Sequence, residues 1–297
     1  MNKTRKILDG AFLDALQTLD LYIHQPTNGY YSGARPSRSY GSSPEFADYR
    51  EYVPGDDLRR IDWKLAGRFD KYYIKRFIDE KQGHNRIYLD QSASMGQKPQ
   101  KGLTALRLAA ALGYLSVSNM DSVSFRMMRG KKCVDLCGNI IGKESFLRAV
   151  QQLETVDYVG DTNIKSAILD DPNPGMKDGV SYILSDLLTE SDWKSAVDNL
   201  LARGRQVAVV QILSPEELCP SVHGLCSFQD AENPSGKRLS MDVDRSTLRA
   251  YQQAVEYFLG DVRKFCGARG VGYMMIRSDE RVEEALLTKG CAEGLIR

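Results

Sequence analysis

The sequence predicts a doubly wound, mostly parallel α/β sheet, preceded by a helix, a flexible loop and a charged β/α segment. Three observations lead there. From residue 85 onward, short apolar runs alternate with stretches of helical period, which requires a parallel sheet covered on both faces. Runs such as VSYILS and QVAVVQIL are continuously apolar, as strands buried on both faces are. Residues 45–82 instead carry nine acidic and nine basic side chains around strand-like runs, so the expected division is 1–82 and 83–297.

In chain order, Ile7, Leu8, Ala11, Phe12, Ala15, Leu16 and Leu19 recur three and four apart and predict an amphipathic helix over 5–21. Residues 25–44, QPTNGYYSGARPSRSYGSSP, have the Gly, Ser and Pro content of a loop or linker, with Tyr30, Tyr31, Tyr40, Arg35 and Arg38 interleaved. In the charged segment, FADYREYV and KYYIKRFI read as strands. Between them Pro54-Gly55 marks a turn, Asp56 or Asp57 is placed to cap a short helix, and Gly67 to end it.

The regular part begins with strand NRIYLD and helix LTALRLAAALGYLSV. Strand SVSFRMM and its hairpin partner KKCVDLC follow, joined across Arg129-Gly130-Lys131. Helices ESFLRAVQQL and TNIKSAIL lead to strand VSYILSD, helix DWKSAVDNLLARG and strand QVAVVQIL. A polar hairpin, LCSFQDAE–NPSG–KRLSMDV, interrupts the alternation. Asp244 then caps a long helix bearing Leu248, Tyr251, Val255, Phe258, Val262 and Phe265, and strand VGYMMI and helix ERVEEALLTKG close the chain.

At 297 residues, with 42% hydrophobic side chains, the chain is long enough for a sizeable core. Its 40 basic and 39 acidic side chains argue against a general polyanion binder. MNKTRKILDG has no signal-peptide core and no apolar run reaches membrane-spanning length, so a cytoplasmic location is expected. The six cysteines fall in no zinc-ribbon or CxxC spacing and read as reduced, mostly buried thiols. No HExxH, Walker-type or GxGxxG motif is present.

What remains is oxygen chemistry. Asp90, Ser92 and Ser94 follow the first strand of the alternating region, Gly160-Asp161-Thr162 opens a helix, and Asp186 ends a later strand. In an open α/β sheet, ligands sit beyond the carboxyl ends of strands where strand order reverses, so the fold can bring these loops to one rim. Two carboxylates and three hydroxyls suit a hard divalent ion and leave a coordination position for an outside carboxylate. The competing reading is a strand-to-helix turn whose serines cap the next helix.

The pattern resembles the metal-ion-dependent adhesion site of von Willebrand factor A domains. Asp90, Ser92 and Ser94 match its DxSxS element, and Thr162 and Asp186 match the second and third elements by position. That resemblance implies one Mg²⁺ or Mn²⁺ held by these five residues. The block EFADYREYVPGDDLRRIDWKLAGRFDKYYIKRFIDEKQ, with its RxIDWK core from Arg59 to Lys64, followed by a strand ending DQSASM, resembles the bacterial domain of unknown function 58 family over roughly residues 45–290. The family implies association with a MoxR-type AAA+ ATPase and a role in assembling or chaperoning other proteins. Many of its members begin with two transmembrane helices, which this sequence does not contain, so no membrane anchor is expected. The second element reads GDT here where relatives often have GGT.

The expected function is therefore a non-enzymatic, metal-dependent protein-binding module, with an ATPase or a client donating an Asp or Glu carboxylate. Arg59, Arg60, Asp62 and Trp63 are candidates for a docking surface on the charged block, since Trp and Arg are enriched among interface anchors. The sequence leaves two other readings open. A Mg²⁺-dependent phosphatase-like hydrolase needs an acid two residues after its aspartate, where this chain has Ser92. A nucleic-acid binder would use residues 25–44, against a near-neutral overall charge.

Overall fold

The computed structural model describes residues 6–23, 46–69, 71–77, 82–172, 178–233, 235–293 and 295. The chain divides into two compact units, one of Met1–Gln25 with Gly83–Arg297, the other of Pro26–Gln82. The N-terminal helix, placed by the sequence with the charged segment, thus belongs with the sheet. The loop expected over 25–44 lies outside the described residues.

In the larger unit, helix α1 (Gly10–Ile23) starts later than its apolar period implies, because Asp9 accepts from Phe12 N at 2.8 Å and caps it there. Phe12, Leu16 and Leu19 are buried, and Ile7, outside the helix, is buried too, its N–H donating to Glu154 Oε1 at 2.9 Å.

In the smaller unit, strand β1 (Phe46–Glu51) pairs antiparallel with β2 (Tyr73–Phe77), as expected. Between them lie a single 3₁₀ turn, Leu58–Arg60, capped by Asp57, and helix α2 (Trp63–Phe69). Asp56 is not a cap; it binds Arg50 through both carboxylate oxygens and closes the Pro54-Gly55 turn by accepting from Val53 N at 3.0 Å. Gly67 does not end α2, which runs two residues past it.

The sheet of the larger unit holds β3 (His84–Asp90), β4 (Ser122–Arg129), β5 (Lys132–Asp135), β6 (Val180–Ser185), β7 (Gln206–Leu213) and β10 (Gly272–Arg277) in the order β10-β7-β6-β3-β4-β5. Every pair is parallel except β4–β5, the short hairpin at one edge. The polar hairpin, β8 (Gly224–Phe228) and β9 (Leu239–Val243), forms a separate two-stranded sheet.

The helices are α3 (Ala93–Gln97), α4 (Pro99–Ser118), α5 (Gly142–Leu153), α6 (Ile164–Asp170), α7 (Trp193–Ala202), α8 (Pro215–Leu218), α9 (Arg245–Ala268) and α10 (Val282–Ala285), the last continued by a π turn to Gly290. They bury the two faces of the sheet separately. Ile87 and Leu89 join one apolar cluster with α1, α4 and α5, while Tyr88 joins another with α6, α7 and α9, as alternation along a strand dictates. The doubly wound architecture is the one the strand–helix alternation predicts.

All six cysteines are free, but only Cys133 and Cys266 are buried, fewer than expected. Among the described residues no helix is long and apolar enough to cross a membrane.

Candidate metal centre at the carboxyl edge of the sheet

Strand order reverses at β3, whose neighbours are β4 on one side and β6 on the other. The carboxyl ends of β3 and β6 therefore flank the switch point, where open α/β sheets bind ligands. Asp90 ends β3 and Asp186 follows β6; both are 2% exposed. The register Leu89↔Leu184 sets Asp90 beside Ser185, whose hydroxyl donates to Asp90 Oδ2 at 2.6 Å. Asp90 Oδ1 accepts from Ser92 N at 2.9 Å, which turns the chain sharply into α3.

Ser92 stands at the N-cap position of α3 but makes no side-chain capping bond. Its hydroxyl lies instead 3.0 Å from that of half-buried Ser94. The capping reading of these serines fails for Ser92, and two hydroxyls beside a buried carboxylate remain to be explained.

Thr162 reaches the same rim through backbone stitching. Gly130 N donates to Asp161 O at 2.9 Å and Asn163 N to Gly130 O at 2.8 Å, so the residues flanking Thr162 are pinned to the end of β4. On the other side Ala93 N donates to Gly160 O at 2.8 Å and Val159 N to Gln91 O at 2.9 Å. Gly160 has φ +80°, a conformation in which other residues are strained, so the glycine of GDT is required by the turn. Tyr158 anchors this loop from below, its hydroxyl donating to Gly102 O at 2.8 Å. A Cβ on Gly96 would come within 2.4 Å of Tyr158 Cβ, so a glycine there lets the ring pack.

The five predicted ligands thus occupy three neighbouring loops at one edge. Asp90 shows what this proximity costs. Its carboxyl is pushed above the usual carboxylate range by burial first and by the charge of Asp186 second, against the Ser185 and Ser92 N–H hydrogen bonds that hold it down, while the Thr162 hydroxyl donates to Met128 O at 3.3 Å. Two carboxylates and three hydroxyls form a donor set that fits a hard divalent cation, whose charge would offset that crowding. Among the described residues no group of three or more His, Cys, Asp or Glu side chains could hold a metal, so hydroxyls would have to complete this set.

Several participants escaped the sequence reading. Lys101, 0% exposed near the start of α4, donates to Asp186 Oδ2 and to Glu217 Oε1, each at 2.7 Å. The other Asp186 oxygen accepts from Leu188 N at 2.9 Å, and Gln211 Nε2 holds its carbonyl at 3.0 Å. Leu187, between them, sits at φ +59°, a strained backbone for a branched side chain, secured by Leu187 N donating to Ser185 Oγ at 2.9 Å. Ser185, adjacent to Asp186 in the ILSD run, was the one local signal within reach.

The docking candidates lie in the smaller unit. Arg59 and Arg60 are exposed and Trp63 is 64% exposed, in edge-to-face contact with exposed Tyr72 at 6.2 Å. Asp62 does not belong with them. It is 8% exposed, starts α2 by accepting from Lys64 N at 2.9 Å, and also binds Tyr49 Oη and Lys75 Nζ, each at 3.1 Å. Its carboxylate is committed to holding strand and helix together.

Residues 48–257 match the family described as "Protein of unknown function DUF58", and the chain belongs to that family. The uncharacterized protein Rv1480 of Mycobacterium tuberculosis is 24% identical over 89% of this chain and 84% of its own. Among solved structures, the conserved hypothetical protein BatB from Bacteroides thetaiotaomicron is 16% identical with a TM-score of 0.42, covering 72% of this chain and 99% of that one. A von Willebrand factor type A protein from Catenulispora acidiphila is 11% identical with a TM-score of 0.40, covering 74% of this chain and 42% of that one.

Proposed function

We propose that the chain is a non-enzymatic, divalent-metal-dependent protein-binding module. The observation that carries this reading is the convergence of Asp90, Ser92, Ser94, Thr162 and Asp186 from three loops onto the switch point of the sheet. A bound Mg²⁺ or Mn²⁺ would supply an electrophilic bridge to a carboxylate outside the chain. The five side chains would hold and orient it, while Lys101 limits the negative charge around Asp186. The partner class is a MoxR-type AAA+ ATPase or a client protein presenting an Asp or Glu, in assembly or chaperoning of other proteins. A hydrolase is disfavoured because Ser92, two residues after Asp90, offers no acid for a leaving group.

A pull-down at constant Mg²⁺ tests it, since a chelator would also disable the ATPase's own nucleotide site. Ser92→Ala with Ser94→Ala removes two neutral donors without changing net charge. Arg59→Ala with Arg60→Ala removes charge from the other unit. A metal-bridged client is expected to be lost with the serine pair and kept with the arginine pair. Unchanged capture by the serine pair sinks the reading for that partner.

A further inference from the structure

Gly67, found inside α2 rather than at its end, is not required there by the fold. Its φ lies outside the left-handed region, and a Cβ at this position would meet nothing within 4 Å. Glycine inside a helix costs stability relative to alanine, so its presence calls for a cause outside the fold. At 3.6 residues per turn, Trp63, Lys64, Gly67 and Arg68 share one face of α2, and all four are exposed. Gly67 falls between the Trp63 and Lys64 columns and leaves a gap in that face. The Trp63 ring extends an aromatic row, since Tyr72 stands edge-to-face with it at 6.2 Å and with Tyr52 at 6.4 Å. The described acids of the smaller unit are engaged within it. Glu51 pairs with Lys71, Asp56 with Arg50 and Asp62 with Lys75, Asp57 caps the 3₁₀ turn, and Asp48 also has a partner. Among the described residues, Arg59, Arg60, Lys64 and Arg68 are exposed and form no ion pair.

We propose that this face of the smaller unit binds an acidic segment of a partner protein, one that carries an aromatic or aliphatic anchor and lays its backbone over Gly67. Four cations without an internal counter-charge are complementary to a chain of the opposite sign. An indole that is 64% exposed beside them is the kind of side chain that anchors an interface once water is excluded. The bare glycine gives a backbone room to approach between the two. Nucleic acid fits the surface less well. The Trp63 and Tyr72 rings pack edge to face on one another, whereas bases stack on open ring faces. Leu58, 58% exposed in the 3₁₀ turn, adds aliphatic rather than stacking surface. The contact needs no metal and is independent of the bridge proposed above.

The test uses the full chain in EDTA, so that the metal centre contributes nothing, with random dodecapeptides displayed on phage as the probe. Selected peptides are expected to combine several Asp or Glu with an aromatic or aliphatic residue. One of them, made synthetically, is then titrated by fluorescence anisotropy. Trp63→Ala is expected to weaken it by more than about tenfold, and Lys64→Ala with Arg68→Ala by about tenfold, with a shallower salt dependence. Arg148→Ala, which removes an exposed cation of the larger unit, is expected to change nothing. Gly67→Ala separates binding from folding. It is expected to raise the thermal midpoint by about one to three degrees and yet weaken the peptide at least about fivefold, which a folding defect cannot mimic. Wild-type affinity in Gly67→Ala overturns the inference. So does a selection that yields no acidic peptide, or an oligothymidylate that binds more tightly than the peptide. None of these outcomes bears on the metal centre, whose thermal response to Mg²⁺ is expected to be unchanged in all of these variants.

Discussion

Lys101 is the residue on which the site's electrostatics turn. Its ammonium is fully buried against Asp186 and Glu217, whose side chains are 2% and 25% exposed. Breaking a buried pair by removing one partner leaves an uncompensated charge, at a cost of about 3–5 kcal/mol. Lys101→Met, which keeps the chain's apolar volume, is expected to lower the urea midpoint accordingly in EDTA. Because a dication supplies some of the missing charge, the deficit is expected to shrink in Mg²⁺; an equal deficit in both would mean that Asp186 does not face the ion. No local pattern announces this lysine, since its partners lie 85 and 116 residues away.

At the scale of elements, the two ends of the strands are built for different purposes. The carboxyl ends carry the converging donors. The amino ends are stitched shut: Asn85 Oδ1 accepts from Val180 N at 2.8 Å, Arg205 donates to His84 O at 2.7 Å, and His84 Nδ1 meets Ser122 Oγ at 2.8 Å. Burial, followed by the charges of Arg86, Arg205 and Arg126, pulls the His84 imidazole from 6.5 down to about 4. The folded state then holds fewer protons than the unfolded chain between those values. The imidazole's contribution to stability is complete above about pH 6.5 and drains as pH falls toward 4. His84→Gln is expected to hold its thermal midpoint better than wild type as pH falls from 6.5 to 4, and equal changes in the two proteins would show that the imidazole does not contribute. Burial of this kind is invisible in the run HNRIYLD, whereas the strand itself is plain from its apolar residues.

Across the whole molecule, what was legible follows from range in sequence. Alternating apolar runs and helical periods are local, and they specify the sheet, its helices and the polar hairpin. Asp90, Ser92 and Ser94 are local as well, and their place at the end of the first strand follows from the fold. Thr162 and Asp186 needed the strand–helix order to join them. Asp62 was misread because an acidic residue beside Trp63 looks exposed until β1 and β2 pair and bring Tyr49 and Lys75 to it. The grouping of α1 with the sheet depends on apolar contacts that no spacing in residues 5–21 reveals. Lys101 and Glu217 depend on tertiary approach alone.

The central claim, that Asp90, Ser92, Ser94, Thr162 and Asp186 hold one divalent ion, is tested most directly by thermal unfolding with and without Mg²⁺. An ion that binds only the folded state stabilises it by RT ln(1 + [Mg²⁺]/Kd), about 1.4 kcal/mol at ten times Kd, or a few degrees for a chain of this size. Wild type is expected to show that rise and Asp90→Ala to show none, each compared with its own midpoint in EDTA. An equal Mg²⁺ response in the two proteins would contradict the account.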